Sequence, residues 1–329
     1  MSKHPAPATL RDVATHCGVS LATASKALSP FTDRCDIGGE TRERIRAAAA
    51  RLGFSRNRSA SVRARRRWNN IGLAWGRHAP RGDGIYAELF ETAARALKRW
   101  GYHLLFTPVE DAADWLAMQQ VQRLDGILAV ESLPQEVLER IAADGYPAVL
   151  FNLPSALPLP QILPDDRAGA AALAVHLAGL GHRRAVYVPR KAWATHPSDE
   201  LRWDGIRSCA ELDVANLAPA AAVARCISGA ATAIVTYSQS ELVTVLEPLR
   251  ASGLEVPRQV SLAVCCDVPW LAHLHPAVTA MTIPVPAMAE TAVSLLVDLI
   301  ERSAEPRPTT VLVPETLVPR ASTGRAPRT

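Results

Sequence analysis

The sequence predicts an N-terminal all-α helix-turn-helix head followed by an α/β core of parallel sheets flanked by helices. Residues 1–67 combine helical apolar periodicity with 14 Lys and Arg against 5 Asp and Glu, a net charge of +9. Residues 68–329 carry 22 basic and 27 acidic residues, a net charge of −5. From about residue 70, short apolar strands alternate with amphipathic helices, which is typical of parallel sheets. The basic head is suited to a polyanion such as nucleic acid.

Length and composition limit the classes of protein to consider. A chain of 329 residues with 48% hydrophobic residues is long enough for two or three folded domains. It has no long apolar stretch that would span a membrane, and its N-terminus lacks the apolar core of a secretion signal. We therefore expect a cytoplasmic protein. The six cysteines form no C-x-x-C pair, so we expect reduced thiols, no metal site and no cofactor.

The head shows the start and stop signals of two short helices. Apolar residues recur at helical spacing from Leu10 to Cys17, with Thr9 placed to cap the first helix. Gly18 ends that helix, and Ser20 caps a second one. The second helix directs Ala24, Ala27 and Leu28 inward. A third helix is predicted over Thr41–Leu52, and the Gly-centred turn between the first two indicates a helix-turn-helix.

At this point the order of residues becomes recognisable. Residues 9–28 read TLRDVAxxCGVSxxTASKxL and residues 40–45 read ETRERI, which resembles the head of the LacI/GalR (lac-repressor) family of transcriptional regulators. The resemblance implies a double-stranded DNA operator as the partner. It implies contacts to phosphates from Thr9, Ser20, Thr23 and Ser25. It also implies that three side chains face base edges: Leu21, Ala22 and Lys26. Lys26 stands where the family usually has Arg, which offers a fixed bidentate fork that Lys lacks.

Two segments depart from the family, one loop within the head and the stretch that follows the head. The loop Ser29–Gly39 is longer than usual, and we interpret it as a surface loop. The family then forms a hinge helix that inserts a Leu into the minor groove, where this chain has Arg63. Arg suits a narrow minor groove, whereas a kink needs an apolar wedge, so a kink is not implied. A solvated linker is the alternative for this stretch. The predicted hinge contacts are Asn57, Arg58, Val62 and Arg63.

The core shows strand and helix patterns in alternation. A helix is predicted over Tyr86–Trp100. The predicted strands are Ile71–Trp75, His103–Phe106, Gly126–Val130, Ala148–Asn152, Ala185–Val188, Ala233–Tyr237 and Leu262–Cys266. Residues 165–169 (DDRAG), 179–184 (GLGHRR) and 254–261 (LEVPRQVS) resemble the core of the same family. The resemblance implies two periplasmic-binding-protein-like lobes with a ligand cleft between them, in a homodimer.

Ligands of open α/β sheets bind at the carboxyl ends of the strands. The candidate effector-binding residues at these ends are Trp75, Asp83, Phe106, Asn152, Arg202, Ser238 and Asp267. Arg202 matches the family's effector-binding Arg, and a structural Arg paired with an acid is the alternative. The family's Asn-Asp and Asp-Asp pairs are here Ser238-Gln239 and Cys266-Asp267. Since these changes remove polar partners, we expect a weak response to common hexoses, and a less typical sugar, a sugar acid or another small polar metabolite as the effector.

These observations predict a domain order and a function. The predicted domains are a DNA-binding head (1–54), a hinge (55–69) and a two-lobed effector-binding and dimerisation core (70–329). The predicted function is a sequence-specific transcriptional regulator, a repressor in preference to an activator, that binds a pseudo-palindromic operator in the nucleoid under the control of a small polar, sugar-related effector. A ligand-independent regulator with a degenerate pocket is the alternative. An enzyme is not favoured, because no Gly-rich phosphate loop, G-x-S-x-G elbow or H-E-x-x-H motif occurs.

Overall fold

The computed structural model describes most of the chain. The described residues are 10–28, 37–52, 68–76, 84–121, 123–130, 133–190, 196–302 and 308–327. The chain divides into two compact units, residues 1–65 and 66–329. The division falls inside the segment 55–69 that the sequence assigns to the hinge.

The described part of the head is helical. It contains α1 (Leu10–His16), α2 (Leu21–Ala27) and α3 (Gly39–Arg51). Gly18 has a φ of 62°, the left-handed conformation that a turn between two helices needs. The hydroxyl of Ser20 accepts a hydrogen bond of 3.0 Å from the backbone N–H of Thr23 and so caps α2. The small core contains Val13, Ala27, Ile45 and Ala49. The helix-turn-helix prediction is therefore confirmed.

The core unit contains two lobes, which we call the N-lobe and the C-lobe. The N-lobe begins with β1 (Asn70–Trp75), α4 (Gly84–Arg99), β2 (His103–Pro108), α5 (Ala112–Val121), β3 (Gly126–Val130), α6 (Gln135–Ala143), β4 (Ala148–Phe151) and β5 (Gln161–Pro164). The C-lobe follows with α7 (Asp166–Gly179), β6 (Arg184–Val188), α8 (Ser198–Arg207), β7 (Asp213–Asn216), α9 (Pro219–Ile227), β8 (Ala233–Thr236), α10 (Gln239–Ser252), β9 (Ser261–Val264), a 3-10 helix (Pro269–His273) and β10 (Thr279–Thr282). The last elements are α11 (Val285–Arg302), β11 (Thr310–Val313) and β12 (Thr316–Val318).

Each lobe is built on one six-stranded sheet. The N-lobe sheet has the order β11-β5-β4-β3-β1-β2, and its strands are all parallel. The C-lobe sheet has the order β12-β10-β9-β8-β6-β7, in which β12 runs antiparallel to β10. The chain crosses between the lobes after β5, after β10 and between β11 and β12. Helix α11 therefore follows a C-lobe strand but packs against the N-lobe sheet, where Val293 and Leu296 are buried.

Helices α7 and α8 pack closely in the C-lobe. Gly205 of α8 lies directly against the backbone of Arg167 in α7, and an added Cβ would collide with it. This close approach places Arg202, one turn earlier in α8, beside Asp166 at the start of α7.

The strands that the sequence predicted are all present; Gly126–Val130 matches at both ends, and the others have one or both ends shifted by one or two residues. Five others, β5, β7, β10, β11 and β12, were not predicted. Edge strands β7 and β11 have partly exposed side chains, so they lack the continuous apolar run of a buried strand. Strand β10 is largely buried, but it is only four residues long with Thr at both ends.

Candidate functional site

One face of α2 in the head is open to solvent. Leu21 at the start of this helix is 47% exposed, and Lys26 is exposed as well. The hydroxyls of Ser20 and Thr23 lie 2.8 Å apart at the same end, beside the backbone N–H groups of the first turn. Hydroxyls and N–H groups at a helix N-terminus are suited to phosphate oxygens. This end of α2 thus has the chemistry that DNA recognition requires.

The other predicted DNA-binding residues are described in part or not at all. Ala22 and Ser25 lie on α2, but their side chains are outside the described residues. Five further residues lie entirely outside the described residues: Thr9, Asn57, Arg58, Val62 and Arg63. Their roles stay predictions.

The candidate effector residues of the N-lobe lie at its sheet, except Asp83, which is outside the described residues. Trp75 is the last residue of β1, and Asn152 follows β4 directly with a φ of 50°. Phe106 lies within β2, where its ring centroid is 4.5 Å from that of Phe90 and 5.1 Å from that of Trp75. Phe106 therefore belongs to an aromatic cluster that links the end of β1 to helix α4.

Arg202 is buried, with 4% of its surface exposed, in the middle of a polar cluster. Its Nε donates to Asp166 Oδ1 at 2.6 Å, and its Nη1 donates to the carbonyl oxygen of Tyr237 at 3.0 Å. The guanidinium also lies over the Tyr237 ring, 4.6 Å from the centroid. Burial alone would lower the pKa of Arg202, but the charge of Asp166 raises it well above its ordinary value. The cation is thus fixed at the carboxyl end of β8 by an acid, the arrangement that the sequence left open as the alternative.

A chain of hydrogen bonds joins the two lobes next to Arg202. The Nε2 atom of His196 lies 3.3 Å from the carbonyl oxygen of Asn152 in the N-lobe, and its Nδ1 atom lies 2.6 Å from Ser198 Oγ. The carbonyl can only accept, so Nε2 donates to it; the backbone N–H of Ser198 donates to Nδ1 at 3.2 Å, so we assign Nδ1 as the acceptor of the Ser198 hydroxyl as well. Ser198 Oγ in turn accepts from the Tyr237 hydroxyl at 2.7 Å. We call these four residues the interlobe bridge; it fixes the histidine tautomer and ties the start of α8 to the end of β4.

Two predicted C-lobe residues already have partners. The Ser238 hydroxyl donates to Glu241 Oε2 at 2.6 Å and accepts from the Ser240 N–H at 3.1 Å, so it caps α10. Asp267 is held by both Nη atoms of Arg320, at 2.8 and 2.6 Å. Cys266 is buried in the apolar cluster of the N-lobe. A ligand would have to share these groups with their present partners.

Two carboxylates near Arg202 keep an oxygen that is unpaired within the described part of the chain. Glu315 lies where the chain crosses from β11 to β12, with its side chain against Gly169, and its buried Oε1 has no hydrogen-bond partner among the described residues. Burial raises the pKa of Glu315 to about 8, against the lowering effect of Arg202. Asp199 Oδ1 is also buried without a hydrogen-bond partner in the described ranges, and burial raises the pKa of Asp199.

Several residues of this cluster were missed by the sequence reasoning. Asp166 and Ser198 had a usable signal, because each begins a helix that follows a strand, where polar groups meet ligands in open sheets. Tyr237 was predicted as the end of a strand but not as a site residue. His196 and Arg320 had no such signal, since their positions follow from contacts between segments far apart in the chain.

Within the described residues, no helix is long and apolar enough to cross a bilayer. In the same ranges, no group of three or more His, Cys, Asp or Glu side chains is placed to hold a metal ion.

Comparisons with known proteins show which family models and which relatives this chain matches. Residues 9–57 match the family model described as bacterial regulatory proteins of the lacI family, and residues 174–323 match a periplasmic binding protein-like domain. Among relatives, the chain is 32% identical to the HTH-type transcriptional regulator MalR of Streptomyces coelicolor, with 97% of each chain covered. It is 25% identical to the ribose operon repressor of Bacillus subtilis, covering 96% of this chain and 98% of that protein.

Solved structures share the fold. A complex of the transcriptional regulator CelR with cellobiose is similar with a TM-score of 0.66 at 21% identity, covering 96% of this chain and 99% of that one. The lac repressor dimer bound to operator and the anti-inducer ONPF is similar with a TM-score of 0.63 at 22% identity, covering 97% and 100%. At these identities the likeness supports the architecture of a helix-turn-helix head and a two-lobed core.

Proposed function

Since this chain belongs to the LacI family of bacterial regulatory proteins, we propose that it represses transcription by binding a DNA operator as a homodimer under the control of a small polar effector. It is an HTH-type transcriptional regulator with a periplasmic-binding-protein-like core. The observation that carries the proposal is the interlobe bridge, because an effector bound beside it would favour one lobe arrangement over another. A ligand changes DNA affinity only through such a preference.

The proposed DNA contacts follow the chemistry of α2. Lys26 and Leu21 are exposed, and they would face base edges together with Ala22. Thr9, Ser20, Thr23 and Ser25 would hold phosphates. The hinge residues Asn57, Arg58, Val62 and Arg63 would enter the minor groove. One recognition helix per protomer requires two half-sites, so the operator should be pseudo-palindromic.

The proposed effector is a sugar-related molecule bound at the carboxyl ends of the two sheets. The cellobiose complex of a protein with this fold and the relation to a ribose operon repressor support that class. Trp75 and Asn152 would contribute from the N-lobe, with Phe106 and Asp83 nearby. Arg202, Ser238 and Asp267 would contribute from the C-lobe, sharing their present partners. We infer that the protein acts in the cytoplasm, at the nucleoid, because the DNA operator that we propose for it would lie there.

A ligand-independent regulator is the second candidate. It is favoured by the partners that already occupy Ser238 and Asp267 and by the burial of Cys266 in an apolar cluster. An enzyme has no comparable support, because the relatives reported above are transcriptional regulators or repressors.

Operator binding and effector response can be tested together. Footprinting on the DNA that flanks the gene should give a pseudo-palindromic protected site. Fluorescence anisotropy should then show tight binding by the full chain and none by residues 68–329. Small sugars should change this affinity. Protection of DNA without symmetry would contradict the homodimer, and an affinity that no small molecule changes would favour the second candidate.

A further inference from the structure

We propose that Asp125 and Arg123 fix the end of the hinge on the N-lobe and thereby set the distance between operator half-sites that the homodimer accepts. We call these two residues, together with Trp68 and Asn69 at the end of the hinge, the hinge anchor. The inference rests on the proposed function, since it concerns how the core positions two DNA-binding heads. It assigns a positioning role to residues outside both predicted binding sites.

One carboxylate binds the backbone at the end of the hinge. Asp125 lies directly before β3, and its Oδ2 accepts hydrogen bonds from the backbone N–H of Trp68 at 3.1 Å and of Asn69 at 2.7 Å. Its Oδ1 lies 3.2 Å from the same nitrogen of Trp68. Hydrogen bonds from N–H groups to a carboxylate are stronger than those to a neutral oxygen. The backbone is therefore held two residues before β1 begins.

The side chain of Trp68 is held as well. The guanidinium of Arg123 lies over its ring, 4.4 Å from the centroid, where a cation is attracted to the face of an indole. Trp68 is 40% exposed and Arg123 is exposed, so this contact lies at the surface of the N-lobe. Asn69 and Arg123 have φ angles of 56° and 49°, a left-handed backbone that is uncommon outside glycine and persists where surrounding contacts determine it. Both segments of the hinge anchor thus have a defined conformation.

The hinge anchor is part of the N-lobe. The carbonyl oxygen of Asn69 accepts a hydrogen bond of 2.7 Å from the backbone N–H of His103 at the start of β2. The hydroxyl of Tyr146 donates to the carbonyl oxygen of Leu124 at 2.6 Å and so holds the segment that carries Asp125. Because these contacts all lie in the N-lobe, a movement of this lobe relative to the C-lobe would carry the end of the hinge with it.

The length of chain that the hinge anchor holds sets the size of its effect. The hinge contacts that we propose at Val62 and Arg63 would hold the other end on the DNA, which leaves four residues, 64–67, between the two fixed points. Releasing Trp68 and Asn69 adds two residues, or about 7 Å of extended chain. Since one base pair occupies about 3.4 Å along the DNA axis, this length corresponds to about two base pairs in each protomer. Loss of the hinge anchor should therefore weaken the discrimination between half-site spacings.

The test is selection of DNA by the full chain, followed by binding measurements. Selection from random DNA with the wild type defines an operator, and fluorescence anisotropy compares it with operators that have one base pair added to or removed from the centre. We expect the wild type to prefer one spacing by about tenfold. Asp125→Ala should lower this preference to about threefold or less, because two more residues are free to extend. Asp125→Asn should keep most of the preference, since one amide oxygen at the Oδ2 position can accept from both N–H groups.

A spectroscopic signal tests the hinge anchor without DNA. In protein labelled with fluorotryptophan, the fluorine NMR signal of Trp68 is the one that is missing from Trp68→Phe. Arg123→Ala should shift this signal and leave those of the other tryptophans in place, because its guanidinium lies over the Trp68 ring. The matched control is Asp144→Ala, which removes another N-lobe carboxylate, bonded to Arg140 at 3.2 Å. It should change neither the spacing preference nor the Trp68 signal.

The outcomes separate this inference from the proposed function. Equal binding of all spacings by the wild type, an unchanged preference in Asp125→Ala, or a Trp68 signal that Arg123→Ala does not shift would overturn the inference alone. A lower unfolding midpoint in Asp125→Ala with the preference intact would do so too, since Asp125 would then only stabilise the start of β1. A wild type that enriches no DNA sequence would overturn the proposed function and the inference together.

Discussion

Replacing Glu315 with Gln should stabilise the core unit at pH 8 and leave its stability almost unchanged at pH 5. Burial raises the pKa of the Glu315 carboxyl to about 8 in the folded protein, against an ordinary value of 4.5. Between these values the folded state keeps a proton that the unfolded chain releases, so stability falls as the pH rises. Gln is neutral throughout and avoids that loss. The pKa difference sets an upper limit of roughly 5 kcal/mol on the stabilisation by Gln at pH 8. This stabilisation increases by about 1.4 kcal/mol per pH unit between the two pKa values.

The assay is urea unfolding followed by tryptophan fluorescence at several values between pH 5 and pH 8.5. The difference in unfolding free energy between Glu315→Gln and the wild type should grow with pH. The matched control is Glu211→Gln, because the carboxylate of Glu211 is exposed and lies 3.7 Å from Arg183. The difference in unfolding free energy between this variant and the wild type should not change with pH. A flat difference for Glu315→Gln, or a loss of stability at pH 8, would refute the reasoning and mean that Glu315 is ionised in the fold.

Three further variants test the site and the DNA interface. Lys26→Ala should cost about 1–3 kcal/mol of operator binding and relax the preference at one base pair per half-site; equal loss on random DNA would make Lys26 a phosphate contact. Arg63→Leu should increase bending at the operator centre in a gel-shift bending assay, and unchanged bending and affinity would place residue 63 outside the groove. Arg202→Ala should destabilise the core by about 3–5 kcal/mol, because it leaves Asp166 buried without its cation. Adding Asp166→Asn should recover most of that stability without restoring the effector response, and a restored response would show that Arg202 has no part in binding.

The sequence predicted the elements with strong periodicity and missed what depends on distant contacts. The helix-turn-helix was readable because Gly18 and Ser20 mark a turn and a cap within a few residues. The buried parallel strands were readable as apolar runs. The partners of Arg202 and Asp267 could not be predicted from the sequence, because Asp166 and Arg320 reach them only when helices and crossing segments pack together. The sequence identified Arg202 by its match to the family's effector-binding Arg and left a pairing with an acid as the alternative, but only the fold shows that this acid is Asp166.

The path of the chain through the lobes has a consequence for its synthesis on the ribosome. The N-lobe sheet begins at Asn70, but its edge strand β11 and the helix α11 that covers it come from residues 285–313. A nascent chain that has just finished β10 therefore holds a nearly complete C-lobe sheet and an N-lobe with one apolar face covered only in part, by α4. The lobe that is translated first is the last to close. During this interval the exposed face would be a binding surface for chaperones, and a chain cut after Thr282 should aggregate through its N-lobe.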